Sequence, residues 1–190
     1  MKFYQEITLI PDAEVPLYFL WTKVYTRLHT AFADQKNKSG TVYAVSFPEY
    51  NERSLGTKVR ILALKEEDLK TLNLSEALKV FADYVHLTRI RPIPEGRIKG
   101  YAVYSRYQPE NSLLGKIRRY VSRHDGISYE QASDLIRRKA DEAGLPYITL
   151  KSATNGQRYP LFIRKKDAQQ TGEPEFNTFG LSRHSSVPEF

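Results

Sequence analysis

Acid–base chemistry near neutral pH falls first to histidine, and this chain of 190 residues has four: His29, His86, His124 and His184. None stands at a metal-ligand spacing from another, so a dedicated zinc site is not expected, and no cofactor is called for. Carboxylate-bound magnesium stays open. The sequence holds no Cys, which excludes disulfides, thiolate metal sites, iron–sulfur clusters and cysteine nucleophiles, and fits a reducing compartment. Gly-rich phosphate loops, G-x-S-x-G and H-E-x-x-H are all absent from the sequence.

The second chemical signature is cationic. The formal net charge is +7, and its placement is uneven: Lys99 to Lys166 carries 14 Lys or Arg against 6 Asp or Glu, a net of +8, while the remainder carries 15 against 16. A polyanion is the expected partner of that region. Within it lies KIRRYVSRHD, Lys116 to Asp125. At helical spacing Lys116, Arg119 and Arg123 share one stripe, while Ile117, Tyr120 and Val121 face the other way. Such a stripe can follow phosphates along a groove wall and release their counterions; a solvated helix face is the plainer alternative. Arg106 and Gln108 sit two apart on an expected strand, hence on one face, and a guanidinium fork beside a carboxamide suits purine edges. A polar outer strand face would look the same.

If the polyanion is RNA, its own 2′-hydroxyl can attack the neighbouring phosphate, and the protein needs only an imidazole and a group to orient the sugar. His29 lies at the edge of an apolar helical stripe with Tyr25 one turn before it, where a histidine more often packs than reacts.

These residues must be held by elements the pattern already suggests. Lys2–Ile10 alternates as a half-buried strand; Asp12 and Pro16 open a helix with apolar positions Leu20, Val24, Leu28, Ala31 and Phe32, fading at Asp34–Gly40. Thr41–Phe47 and Thr57–Leu64 read as strands, about 75–84 as a helix capped by Ser75, and His86–Ile93 as a strand. That β-α-β-β-α-β order is ferredoxin-like, and the fold class is α+β. Prolines and glycines between Pro92 and Gly100 place a boundary, giving residues 1–96 and 97–190 as two domains. In the second, Gly100–Gln108 is a strand, about Asn111–His124 the cationic helix, Ser128 with Gln131 a capping box for a helix ended by Gly144, and Tyr147–Leu150 and Tyr159–Arg164 strands around an Asn155-Gly156 turn. A last strand is expected within Glu173–Phe190. No apolar run spans a bilayer and Met1–Pro11 lacks a signal core, so a soluble, cytoplasmic protein is expected.

Six segments in this order carry a resemblance over nearly the whole chain: RLH ending at His29, SFPE at Ser46–Glu49, S-R-Y-Q from Ser105, RRYVSRHD from Arg118, ITLKSATNGQRYPLFIR from Ile148, and FGLS from Phe179. The chain resembles the bacterial CRISPR-associated endoribonucleases of subtype I-F, which cut precursor CRISPR RNA within each repeat. The resemblance implies a ferredoxin-like first domain and an RNA hairpin-recognition domain whose arginine-rich helix enters the major groove of the hairpin. That groove is normally too narrow for side chains, so a short stem with an accessible end is needed. By the same resemblance His29 is the catalytic histidine and Ser152 the residue holding the ribose. Arg106 and Gln108 read base edges at the bottom of the stem. Arg118, Arg119, Arg123 and His124 belong to the groove helix, Tyr159 stacks on a base, and Thr154 supplies a nearby hydroxyl; Lys116, from the cationic stripe, joins the expected RNA-binding residues. The reaction implied is metal-independent and leaves a 2′,3′-cyclic phosphate. The protein then stays on the mature RNA hairpin beside other subunits of a surveillance complex, without a membrane. Phe179 stands where the family pattern has a Tyr near the histidine, so a hydroxyl that could orient His29 is missing there. A hairpin-binding subunit that does not cut is the alternative this departure raises. Glu189, standing where an aromatic is expected, and Ser122, at a possible Arg position, imply altered RNA contacts.

Overall fold

The computed structural model describes residues 1–108, 117–124, 126–132, 144–151 and 156–190. Its first sheet is built from β1 (Phe3–Leu9), β2 (Ala44–Ser46), β3 (Lys58–Ala63), β4 (Val85–Leu87) and β5 (Arg91–Pro92). The strands run in the order β2-β3-β1-β4, with β5 also on β1 and all pairings antiparallel. That is the ferredoxin-like order expected. In β1 the expected alternation holds, with Gln5, Ile7 and Leu9 inward.

Helix α1 (Leu17–Ser39) backs this sheet, burying Leu20, Trp21, Val24, Tyr25, Leu28 and Phe32 along one stripe. It runs past the point where its apolar pattern fades, because Ala, Gln and Lys sustain a helix without burial, and Gly40 at φ 70° closes it with its N–H on the Lys36 carbonyl. Asp12 does not cap it; its carboxylate accepts from the N–H groups of Glu14 and Val15, one turn earlier.

The helix expected at 75–84 is instead two short pieces, α3 (Leu74–Ala77) and a 3-10 segment, Lys79–Tyr84, and a helix that was not expected, α2 (Glu66–Leu72), precedes them. Asn73, at φ 48°, ends α2 and caps α3 by accepting from Glu76 N–H, so Ser75 is not the cap and donates its hydroxyl to Asn73. The expected strand His86–Ile93 is likewise interrupted. Thr88 donates its N–H to the Glu6 carbonyl, accepts the Glu6 N–H on its hydroxyl, and splits the strand into β4 and β5.

The second sheet has the order β7-β8-β6-β9, from β6 (Gly100–Tyr107), β7 (Tyr147–Lys151), β8 (Arg158–Ala168) and β9 (Val187–Glu189). The two sheets meet in one apolar cluster that joins Ile7, Val45 and Phe47 to Ala102, Tyr104, Leu161 and Ile163. Glu189 anchors β9 there, pairing with Lys165 and accepting from the Tyr104 hydroxyl at 3.0 Å. Burial, with the Glu189 charge second, pushes the Tyr104 phenol up, so it stays a donor.

Two helical stretches, 117–121 and 129–132, form a small cluster of their own around Ile117 and Ala132. Ser128 and Gln131 exchange backbone and side-chain bonds of 3.0 and 3.2 Å, the capping box expected there. The SFPE segment also has a structural use. Glu49 accepts from the N–H and hydroxyl of Thr57 and faces Lys58, interactions that lower its carboxyl pKa; a Cβ at Gly56 would lie 2.2 Å from its Cβ. Among the described residues no helix is long and apolar enough to cross a membrane.

Candidate active site and nucleic-acid interface

A five-residue turn in the last part of the chain builds the site around His29. Asn177 folds it, its side-chain oxygen accepting from Phe179 N–H at 2.8 Å and Leu181 N–H at 3.2 Å, while Gly180 N–H returns to the Asn177 carbonyl at 2.9 Å. Two tethers fix the turn to the first sheet and its helix. Val45 of β2 donates to the Gly180 carbonyl at 3.0 Å, and the hydroxyl of fully buried Tyr25 donates to the Phe179 carbonyl at 2.8 Å. Burial pushes the Tyr25 phenol well up, so it holds its proton at any assay pH.

The turn presents two things to His29. The Thr178 carbonyl lies 2.9 Å from Nδ1, and the Phe179 ring stacks on the imidazole, centroids 4.0 Å apart and planes within 8°. A carbonyl can only accept, so Nδ1 carries the proton and, in the neutral ring, Nε2 keeps its lone pair. In that tautomer Nε2 is the ring atom able to accept a proton. The ring face of Phe179, not a hydroxyl, sets the plane.

Arg106, on β6, meets the same aromatic group. Its guanidinium carbon lies 5.7 Å from the Phe179 ring centre and 5.5 Å from that of Tyr159 on β8, both within cation–π range. Its Nε is buried with no hydrogen-bond partner among the described residues. So the structure gathers His29, Phe179, Arg106 and Tyr159, four residues singled out from the sequence. Gln108 follows the end of β6 and is half-buried. Lys116, Ser152 and Thr154 lie outside the described residues.

The cationic segment separates into the faces its spacing suggests. Arg118, Arg119 and Arg123 are exposed, Ile117 is buried, and Tyr120 and Val121 are half-buried against the 127–132 segment. The helix ends at residue 121 and Arg123 sits in the turn after it, its N–H on the Tyr120 carbonyl. His124 is exposed, stacks on Tyr120 at 4.0 Å and places Nδ1 2.9 Å from the Tyr120 carbonyl, a local repeat of the device at His29. Among the described residues no group of three His, Asp or Glu side chains could hold a metal ion.

Sequence reasoning missed Tyr25, Asn177, Thr178 and Gly180 as positioning residues. The N-T-F-G-L stretch from Asn177 was the available signal, since Asn and Gly around an aromatic mark a side-chain-locked turn.

The profile of a CRISPR-associated protein family, Cas_Csy4, matches residues 4–190. The chain is similar to the CRISPR-associated endonuclease Cas6/Csy4 of Escherichia coli strain UTI89, 30% identical over 192 residues that cover the whole of both chains. It is also similar to the protein of the same name from Pseudomonas aeruginosa strain UCBPP-PA14, 34% identical over 197 residues, again the whole of both.

Proposed function

The chain belongs to the Cas_Csy4 family of CRISPR-associated proteins, and we propose that it is an endoribonuclease that cuts precursor CRISPR RNA in the repeat, below its hairpin. The observation that carries the reading is the Nδ1 contact of His29 with the Thr178 carbonyl, which leaves Nε2 as a proton acceptor at a half-buried position. Nε2 takes the proton of a ribose 2′-hydroxyl as O2′ bonds to the adjacent phosphorus; the P–O5′ bond breaks, and O5′ takes a proton from solvent. The products are a 2′,3′-cyclic phosphate and a 5′-hydroxyl, with no metal in the step. Ser152 holds the attacking ribose, as the family resemblance implies. Arg106 reads a base edge, with Gln108 beside it and Tyr159 stacking.

The exposed Arg118, Arg119 and Arg123, with His124 and Lys116, hold the stem by its phosphates, so the protein stays on the mature hairpin as a subunit of a surveillance complex. Replacing Arg123 by Ala should weaken hairpin binding and flatten the dependence of log affinity on log salt by about 0.7–0.9 for each phosphate left without its cation. An unchanged slope in a salt titration would remove Arg123 from the phosphate-binding face.

The non-cutting alternative rests on the hydroxyl that Phe179 lacks. A main-chain carbonyl and a ring face orient His29 without one, which favours the enzyme. Incubation in EDTA with the repeat RNA of the chain's own locus, native or carrying one 2′-deoxy at the cut site, tests the reading. Cleavage of the first with protection of the second is expected. Tight binding with both RNAs left intact would make the protein a hairpin holder.

A further inference from the structure

We infer that Arg106 and Phe179 form a relay through which recognition of a base edge sets the position of the His29 imidazole, so that sequence is checked at the chemical step as well as in binding. The inference rests on the function proposed above and concerns the same site.

Phe179 is shared by two partners with different tasks: the imidazole lies on its face, and the Arg106 guanidinium is within cation–π range of the same ring. Two aromatic rings contact the guanidinium, and π faces restrain a cation far less directionally than hydrogen bonds do. Its buried Nε has no acceptor among the described residues, a state that protein interiors penalise and that a ligand acceptor relieves. A purine edge offering two acceptors turns this group into a bidentate pair of fixed geometry. The ring beside it is then packed between a fixed cation and His29. A base lacking one acceptor leaves the cation unfixed and the ring able to shift, and displacements near 1 Å at reacting groups cost about a hundredfold in rate. Tyr25 and Asn177 tether the backbone of Phe179, while its half-buried ring is held by packing against the core and by the imidazole, contacts that a fixed cation can bias.

The test uses the repeat hairpin with each lower-stem purine replaced in turn by its 7-deaza analogue, which removes one acceptor and keeps pairing. Affinity and the single-turnover rate at saturating protein are measured separately for the parent, Phe179→Leu and Phe179→Tyr. One 7-deaza position should slow the parent about tenfold to a hundredfold at saturation, beyond any loss of affinity. The same replacement should cost Phe179→Leu nothing further at saturation, while Phe179→Tyr regains the penalty. Equal penalties in all three proteins, or no position that slows the parent at saturation, would overturn the relay. Imidazole NMR of His29 keeps this separate from the proposed function: if the parent binds but does not cut, the native hairpin should still shift the His29 resonances and the 7-deaza hairpin should not. Identical shifts would sink the relay whether or not the RNA is cleaved.

Discussion

With protein saturating and turnover limited to one event, His29→Ala should cleave repeat RNA about 10²–10⁴-fold more slowly than the parent, with hairpin affinity unchanged. The magnitude is that of losing a positioned general base, and the separation of rate from affinity follows from where His29 sits. It is half-buried at the edge of the α1 stripe, whose fully buried members are Leu20, Val24, Tyr25 and Leu28. Its hydrogen bond runs to the Thr178 carbonyl and its ring contact to Phe179. Truncation is therefore expected to leave Arg118, Arg119 and Arg123 in place. A large loss of affinity or a collapsed melting transition in His29→Ala would instead make the histidine a packing residue.

The parts of the molecule that sequence made legible are those whose signal is periodic. Gln5, Ile7 and Leu9 alternate inward, and α1 buries a stripe at helical spacing. Ile117 and Arg119 fall on opposite sides as their spacing says. What escaped was short or carried by the backbone. Helix α2 has seven residues and buries only Leu69 and Leu72, too few to set a period; three acidic residues in its first turn help start it instead. The break at Thr88 comes from one hydroxyl meeting the β1 backbone, which no hydropathy pattern records. At the site, His29 and Arg106 were visible because an imidazole and a guanidinium are written in the sequence as side chains. The partner that sets the tautomer of His29 is a carbonyl 149 residues away, and a carbonyl has no residue signature. Phe179 was legible only as a missing hydroxyl, whereas the structure uses its face.

The second large effect is expected at a residue with no side chain. Gly180 holds φ at +72°, and a Cβ there would lie 2.7 Å from Val45 Cγ1, 3.2 Å from Phe32 Cε2 and 3.3 Å from Val45 N. Val45 and Phe32 are core residues of β2 and α1, so neither can yield cheaply. The left-handed conformation costs a non-glycine residue about 1–2 kcal/mol, and forcing a methyl into a packed core adds about 1–3 kcal/mol. Gly180→Ala should therefore melt several degrees below the parent. More telling is the rate. The turn can relieve the clash only by moving off β2, and Thr178 and Phe179 are carried with it. Cleavage at saturation should fall about tenfold to a hundredfold while affinity holds, because the displaced groups orient the imidazole and do not hold the phosphates. Tyr25→Phe, which removes only the tether to the Phe179 carbonyl, should move the rate the same way by less. Gly172→Ala, in open space on the same terminal segment, should change neither rate nor melting. If Gly180→Ala lost stability but cleaved at the parent rate, the turn would be holding the two sheets together and not His29, whose position would have to come from α1 alone.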